Sequence, residues 1–247
     1  MTGQVMIFVR DLSEIIVLFS WFSNELQQYR SMKIIHTYED VTLWFQKNLR
    51  DMMEITSEIN IGLPGGSSLD GWYEYILQNP DTWNGIDVTK LRFGLVDERC
   101  LPVGDEERND VHILEKFIWP LVEMWILQLS QCITPWENVV AREYEEKIAF
   151  FDIAFFGLWP DGHIASLFPH HPWLKNTNSR YIDVANSPKP PSNRISLSAS
   201  GVQIPFVCLF AVWDQKKEAL ANFLDDAVSV EDCPAKLLKP EIVYSSI

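Results

Sequence analysis

The chain has 247 residues, of which 47% are apolar, so it can bury the core of one sizeable α/β domain. Its formal net charge of −14 would repel phosphate backbones and anionic lipid surfaces, which argues against nucleic-acid and membrane-surface partners. No stretch reaches the length of a membrane span and the first residues carry no secretory signal, so we expect a cytoplasmic protein. The four cysteines form no CxxC pair, and neither a disulfide framework nor a structural zinc site is predicted.

The predicted elements begin with a short strand within residues 1–10 and a buried helix over 11–29, followed by a second helix over 39–55. Apolar runs closed by Gly, Pro, Asp or Ser then predict strands at residues 59–63, 91–97, 150–158, 194–198, 205–213 and 241–246. Segments with helical spacing lie between most of these runs, at 68–77, 107–125 and 214–226. We interpret the proline-bearing stretch 170–194 as functional loops within one domain.

Continuous apolar strands that alternate with helices are typical of a parallel sheet covered on both faces. The predicted fold class is therefore α/β, with a mostly parallel central sheet and helices on both sides. We expect a single domain over residues 1–247. Ligands of such folds bind beyond the carboxyl ends of the strands, so the loops at those ends are the places to look for a site.

The first such loop is GGSS, residues 65–68, which follows an apolar run and precedes a helical segment. Gly65 and Gly66 permit a tight turn, and the N–H groups of Ser67 and of the helix start could cradle a phosphate. The loop matches neither the Walker motif nor GxGxxG, and it is not a GxSxG nucleophile elbow. An ordinary turn with a serine cap is the alternative.

The second loop is VDERC, residues 96–100, where Arg99 could grip a phosphate through its planar guanidinium. The alternative is that Arg99 only neutralises the neighbouring carboxylates. Asp97, with Asp105 and Glu106 further on, matches no metal-binding motif.

The third loop is DGHIASLFP, residues 161–169. Asp161 and Gly162 predict a tight turn that places His163 at the carboxyl end of a strand. A neutral imidazole at that position could take a proton from water, a contribution worth roughly 10² to 10⁴ in rate. The alternative is a polar turn residue without a catalytic role.

Taken together, these loops resemble the 6-phosphogluconolactonases, a branch of the sugar-phosphate lactonase and glucosamine-6-phosphate isomerase superfamily. The resemblance runs from about residue 55 to the C-terminus. Its anchors are GGSS at 65–68, VDERC at 96–100, Asn109, DGHIASLFP at 161–169, SPKPPSNRISL at 187–197 and DQKKEAL at 214–220. The related deaminases continue after DGHIA with Asn-Glu-Pro, whereas this chain continues with SLFP, so the resemblance favours the lactonase branch.

The resemblance implies hydrolysis of 6-phosphoglucono-δ-lactone in the oxidative pentose phosphate pathway, without metal or cofactor, by a carboxylic ester hydrolase of the Rossmann-like phosphogluconolactonase fold. By resemblance His163 is the general base and Asp161 orients it. The same resemblance assigns substrate and phosphate binding to Gly65, Gly66, Ser67, Arg99, Asn109, Lys189 and Arg194. It also suggests functional coupling to a glucose-6-phosphate dehydrogenase.

The chain departs from the family pattern at several motif positions. Leu69 and Asp70 follow GGSS where a proline is usual, and Arg108 replaces a serine. Family glycines are replaced by Trp159, His170 and Asp214, the last of which precedes the helix that bears Lys217. Trp159 could narrow the pocket, lie against the sugar or point into the core. The alternatives to an active lactonase are a non-catalytic sugar-phosphate binder, favoured by these replacements, and an amino-sugar-phosphate isomerase, disfavoured by SLFP.

Overall fold

The polypeptide is arranged around two β-sheets in a computed structural model that describes residues 32–136, 140–148, 150–175 and 178–247. The strand and the helix predicted within residues 1–29 lie outside these ranges. The strands of the described residues are β1 Lys33–Ile35, β2 Ile59–Leu63, β3 Leu91–Leu95, β4 Asp97–Arg99, β5 Ile153–Gly157, β6 Tyr181–Val184, β7 Arg194–Leu197, β8 Phe206–Ala211 and β9 Ile242–Ser245.

The larger sheet has six strands in the order β1-β9-β8-β5-β2-β3, and every neighbouring pair is parallel. All five residues of β5 are buried, as its continuous apolar sequence predicts for a central strand. The predicted fold class is confirmed. Along the chain, β3 is added on one side of β2, whereas β5, β8 and β9 follow on the other side. The winding therefore reverses between β2 and β5, and such a reversal opens a crevice at the carboxyl ends of the two strands.

The smaller sheet has three antiparallel strands in the order β4-β7-β6. It corrects the prediction at two places. The apolar run at 194–198 forms β7 of this sheet rather than a strand of the parallel one, because β7 pairs with the charged strand β4. The stretch interpreted as loops contains β6, which pairs with β7. The exposed Asp183 interrupts β6, so this strand lacks the continuous apolar run on which the strand predictions rest.

The helices of the described residues are α1 Tyr38–Met53, α2 Asp70–Gln78, α3 Asn109–Ile113, α4 Trp119–Glu123, α5 Ala141–Glu145 and α6 Lys217–Leu224. Helix α1 confirms the helix predicted over 39–55. Its N-cap Thr37 accepts a hydrogen bond from the Asp40 N–H, and Val41, Phe45, Leu49 and Met52 form its buried stripe.

Helices α3 and α4 are joined by a π-helical segment, Leu114–Ile118. Pro120 lies two residues after this segment and has no N–H to donate to the preceding turn, a defect that a locally widened helix accommodates. The predicted helix over 107–125 thus forms, in three sections.

Aromatic rings join the helices to the parallel sheet. Phe155 of β5 lies 4.5 Å from Trp72 of α2 and 5.5 Å from Phe45 of α1, measured between ring centroids. Residues 32–247 form one compact unit, and a single domain over the whole chain stays a prediction. None of the helices in the described ranges is long and apolar enough to cross a bilayer.

Candidate active site

A cleft opens at the crevice between β2 and β5, as the sheet topology predicts. Its wall contains Pro64, Gly65, Asp97, Arg99, Asn109, Gly157, Trp159, His163, Ala165 and Arg194. Five of the residues predicted to form the site are among them: Gly65, Arg99, Asn109, His163 and Arg194. They come from five separate segments of the chain, so the tertiary fold alone brings them together.

His163 is held in a tight turn directly after β5. Gly162 has a φ of +79°, a conformation that favours glycine, and it turns the chain so that the His163 ring faces the cleft. The Nδ1 atom of His163 lies 2.5 Å from Oδ1 of Asp161, and the other oxygen of Asp161 lies 2.8 Å from the ammonium of Lys189. Within the described ranges no residue bonds to Nε2 of His163, which leaves that atom to the cleft.

The environment favours neutral His163 beside ionised Asp161. Burial lowers the pKa of His163, and its hydrogen bond to Asp161 opposes this effect only in part. Burial alone would raise the pKa of Asp161, but the hydrogen bonds and charges of His163 and Lys189 outweigh it and hold that pKa well below its usual range. At neutral pH the pair is therefore a carboxylate that orients an unprotonated imidazole, which is the form a general base needs.

Aromatic rings cover both faces of the imidazole. The Trp159 ring stacks on one face with a centroid distance of 4.9 Å and an angle of 13°, and the Phe168 ring covers the other at 4.4 Å. Trp159 is 36% exposed, so it does not point into the core. Its side chain lies in the wall of the cleft, in agreement with the prediction that it narrows the pocket, and its ring lies against the candidate base, a contact that was not predicted from the sequence.

Two arginines form the cationic part of the cleft. Arg99 donates from Nη1 to the Glu107 carbonyl, and its buried Nε has no hydrogen-bond partner among the described residues. It forms no salt bridge with a carboxylate of the described ranges, so simple charge neutralisation does not explain it. Arg194 is 6% exposed, and its Nη2 donates to the carbonyl of Pro190 at 2.9 Å. Both side chains come from adjacent strands of the small sheet, where Arg99 lies opposite Arg194.

A polar network positions Asn109 and Arg99. Asn109 donates from its side chain to the Asp97 carbonyl, while its own N–H donates to the carboxylate of Glu98. Glu98 also accepts N–H groups from Arg99 and Asp110, so it ties β4 to the start of α3. A Cβ on Gly65 would overlap the Asn109 side chain, which explains the glycine at that position.

The GGSS loop lies next to a lysine that the sequence interpretation did not identify. Ser68 accepts a hydrogen bond from the ammonium of Lys216 at 2.9 Å, and Lys216 is 2% exposed. Burial lowers the pKa of Lys216 to about 8. No serine side chain caps the turn or helix α2, so the serine-cap alternative is wrong.

Lys217, the lysine emphasised from the sequence, lies on the surface. Its side chain is 63% exposed and forms an i,i+3 ion pair with Asp214. Two adjacent lysines at a helix start look alike in sequence, and only the packing shows which one is buried. The family glycine was expected at Asp214, but the positive φ that favours glycine occurs one residue earlier, at Trp213, with φ +73°. The Trp213 ring lies over the Lys216 ammonium, 4.7 Å from the ring centroid.

The other departures from the family pattern have visible consequences. Arg108 is buried and forms a two-bond ion pair with Asp110. His170 has a φ of +58°, so a histidine occupies a backbone conformation for which glycine is the usual choice. Lys189 lies beside the cleft with its ammonium bound to Asp161 rather than directed toward the two arginines.

A family model described as glucosamine-6-phosphate isomerases/6-phosphogluconolactonase matches residues 36–244 of the chain. The chain belongs to this family. A curated relative from Borreliella burgdorferi named 6-phosphogluconolactonase is 33% identical over 191 residues, which are 73% of this chain and 79% of the relative. A relative of the same name from Streptomyces coelicolor is 30% identical over 190 residues, covering 70% and 72%.

Solved structures of the family share the fold. A 6-phosphogluconolactonase from Thermotoga maritima superposes with a TM-score of 0.70 at 19% identity, covering 87% of this chain and 97% of the other. A structure described as a monomeric glucosamine-6-phosphate deaminase gives a TM-score of 0.66 at 18% identity, covering 87% and 96%. The fold is therefore common to both branches and does not separate their activities. The family resemblance read from the motifs is confirmed.

Proposed function

We propose that the protein hydrolyses 6-phosphoglucono-δ-lactone to 6-phosphogluconate with His163 as the general base. The observation that carries the proposal is the Asp161–His163 pair: His163 lines a cleft shared with Arg99 and Arg194, and its Nε2 has no hydrogen-bond partner among the described residues. A cleft that contains a base and two cations fits a neutral, hydrolysable ring with an anionic tail. The curated relatives named as lactonases support this reaction over the non-catalytic binder and the isomerase.

The proposed reaction begins with a water molecule at Nε2 of His163. Because aromatic rings cover both faces of the imidazole and Asp161 occupies Nδ1, only the Nε2 edge is available to exchange a proton. The base takes one proton as the water oxygen bonds to the lactone carbonyl carbon, and Asp161 stabilises the imidazolium. The ring C–O bond then breaks, and His163 returns the proton to the departing hydroxyl oxygen.

The cationic groups hold the phosphate in this proposal. Arg99 lines the cleft without a carboxylate partner among the described residues, Arg194 contributes a buried guanidinium, and guanidinium groups match phosphate geometry. We assign supporting contacts to the GGSS loop, with Gly65, Gly66 and Ser67, and to Asn109 and Lys216. Lys189 acts mainly through Asp161, because its ammonium is bound there.

The substrate is chemically a product of oxidation, since oxidising the hemiacetal carbon of glucose 6-phosphate yields the lactone. We therefore propose that a glucose-6-phosphate dehydrogenase supplies it in the cytoplasm, as part of the oxidative pentose phosphate pathway. Every proposed step uses side chains of this chain and none uses a metal or cofactor.

The test is a lactone hydrolysis assay. The lactone is generated in situ with excess glucose-6-phosphate dehydrogenase, and its decay is followed with and without the protein. Wild-type protein should accelerate decay, and His163→Ala should lose roughly 10²- to 10⁴-fold in kcat while still binding 6-phosphogluconate. Adding EDTA should leave the rate unchanged.

Full activity of His163→Ala would contradict the proposed mechanism. A wild-type protein that binds 6-phosphogluconate without accelerating hydrolysis would identify a sugar-phosphate binder instead. His112→Ala is the matched control, because His112 is partly buried, pairs with Asp70 and does not line the cleft.

A further inference from the structure

The candidate base lies at the centre of a continuous stack of five side chains. The Lys189 ammonium lies 5.0 Å from the Trp159 ring centroid, and Trp159 stacks on His163. Phe168 covers the opposite face of His163, and the Arg194 guanidinium lies 5.5 Å from the Phe168 centroid. The imidazole is thus held between two rings, each of which is itself covered by a cation.

The backbone of the turn fixes where the Trp159 ring goes. The Trp159 N–H donates to the carbonyl of His163, and the Gly162 N–H donates to the carbonyl of Trp159. The turn thus closes on itself through both backbone groups of Trp159. Trp159 is not among the described residues with a positive φ, so this position does not need a glycine for its backbone.

The ring also reaches the GGSS loop. A Cβ on Gly66 would lie 3.9 Å from Cζ2 of Trp159, so the indole spans the space between the base and that loop. With glycine at position 159, this space would be open and one face of His163 would meet water. The Lys189 ammonium would also lose the ring that lies beneath it.

We propose that Trp159 is a positioning residue for lactone hydrolysis, which keeps the His163 ring in the plane that joins Asp161 to the cleft and shields one face of it from water. The proposal rests on the proposed function. It assigns a role to a residue at which this chain departs from the family pattern, and it predicts a loss rather than a gain when the indole is removed.

Charged groups face His163 from each element packed against it. Asp161 lies in its own turn, Lys189 in the loop before β7, Asp97 at the start of β4, and Arg194 beyond Phe168. Burial is the largest effect on the pKa of His163 and lowers it. If Trp159 supplies part of this burial, its removal must raise that pKa, because Asp161 remains in place.

The test compares kcat/KM as a function of pH for wild type, Trp159→Gly and Trp159→Phe. Trp159→Gly should lose roughly tenfold to a hundredfold at neutral pH, a part of what base catalysis contributes. Its acid limb, which reports protonation of the base, should move to higher pH. Trp159→Phe keeps a ring on His163 and should keep the wild-type limb. Trp125→Gly is the matched control, because Trp125 is 94% exposed and does not line the cleft.

An NMR titration of the His163 ring, assigned with His163→Ala, gives a readout that needs no activity. A higher pKa in Trp159→Gly supports the proposal, and an unchanged pKa together with an unchanged acid limb overturns it. If the wild type does not hydrolyse the lactone, the proposed function fails visibly while the titration still reports on the stack. Should Trp159→Gly not fold, Trp159→Leu replaces it, with a shift in the same direction expected.

Discussion

The two ends of strand β5 carry aspartates whose pKa values move in opposite directions. Asp152, just before the strand, has its pKa raised to about 6, because burial outweighs the hydrogen bond from the Asn60 N–H and Glu58 adds repulsion. Asp161, just past the other end, has its pKa lowered although burial acts in the same direction there. Burial is therefore common to both sites, and the neighbouring charges decide the outcome.

The difference shows how the parallel sheet separates its two edges. Because every strand of the large sheet runs the same way, the His163 turn after β5 and the loop with Lys216 after β8 lie at the same carboxyl edge. The small sheet brings its two arginines and Lys189, which lies in the β6–β7 loop, to this edge. The amino edge around Asp152 has the neighbouring carboxylate of Glu58 instead. A substitution of the same type should thus affect catalysis at one edge and stability at the other.

Asp161→Asn should have the largest effect, because it removes the carboxylate that orients His163. We expect kcat to fall roughly 10²-fold or more, within the range that base catalysis contributes, with a smaller change in KM. Steady-state kinetics of lactone hydrolysis measure this. A loss confined to KM would instead place Asp161 in substrate binding.

Arg194→Ala should come next and act on binding. Hydrogen bonds to charged groups contribute about 1.5–3 kcal/mol, which corresponds to a roughly tenfold to hundredfold rise in KM. Titration with 6-phosphogluconate checks the loss independently of turnover. Arg142→Ala, at an 89% exposed arginine in a surface ion pair, is the control and should leave both constants unchanged.

Asp152→Asn should have the smallest effect on activity and act on stability alone. The pKa of Asp152 in the folded protein, about 6, lies above its ordinary value of 3.8. The contribution of Asp152 to the free energy of unfolding is therefore fully present below pH 3.8 and is lost as the pH rises through 6. Asparagine keeps an acceptor for the Asn60 N–H without a buried charge. The free energy of unfolding of the variant should exceed that of wild type by up to about 3 kcal/mol at pH 8 and should equal it at pH 4.

Urea unfolding at several pH values measures this difference in the free energy of unfolding between Asp152→Asn and wild type. A difference that does not change with pH would mean that Asp152 titrates normally. A loss of lactonase activity in the folded variant would contradict the separation of the two edges.

Local sequence was sufficient for the parallel core. The apolar run of β5 and the capped, periodic sequence of α1 each specify a buried element without reference to the rest of the chain. The small sheet was missed, because β4 is a charged segment and the exposed Asp183 interrupts the apolar sequence of β6. Charged strands form only when another segment supplies their partners, and that information is not local.

The sequence by itself determined the family, the turn that presents His163 and five of the residues that line the cleft. Only the tertiary structure decided that Lys216 rather than Lys217 is buried at the GGSS loop, and that Trp159 lies on His163. The physical reason is that motifs record backbone conformation and residue type over a few positions, whereas side-chain direction depends on what packs against it. A ring placed on a catalytic imidazole is a contact between side chains, and neighbouring letters in a sequence do not encode it.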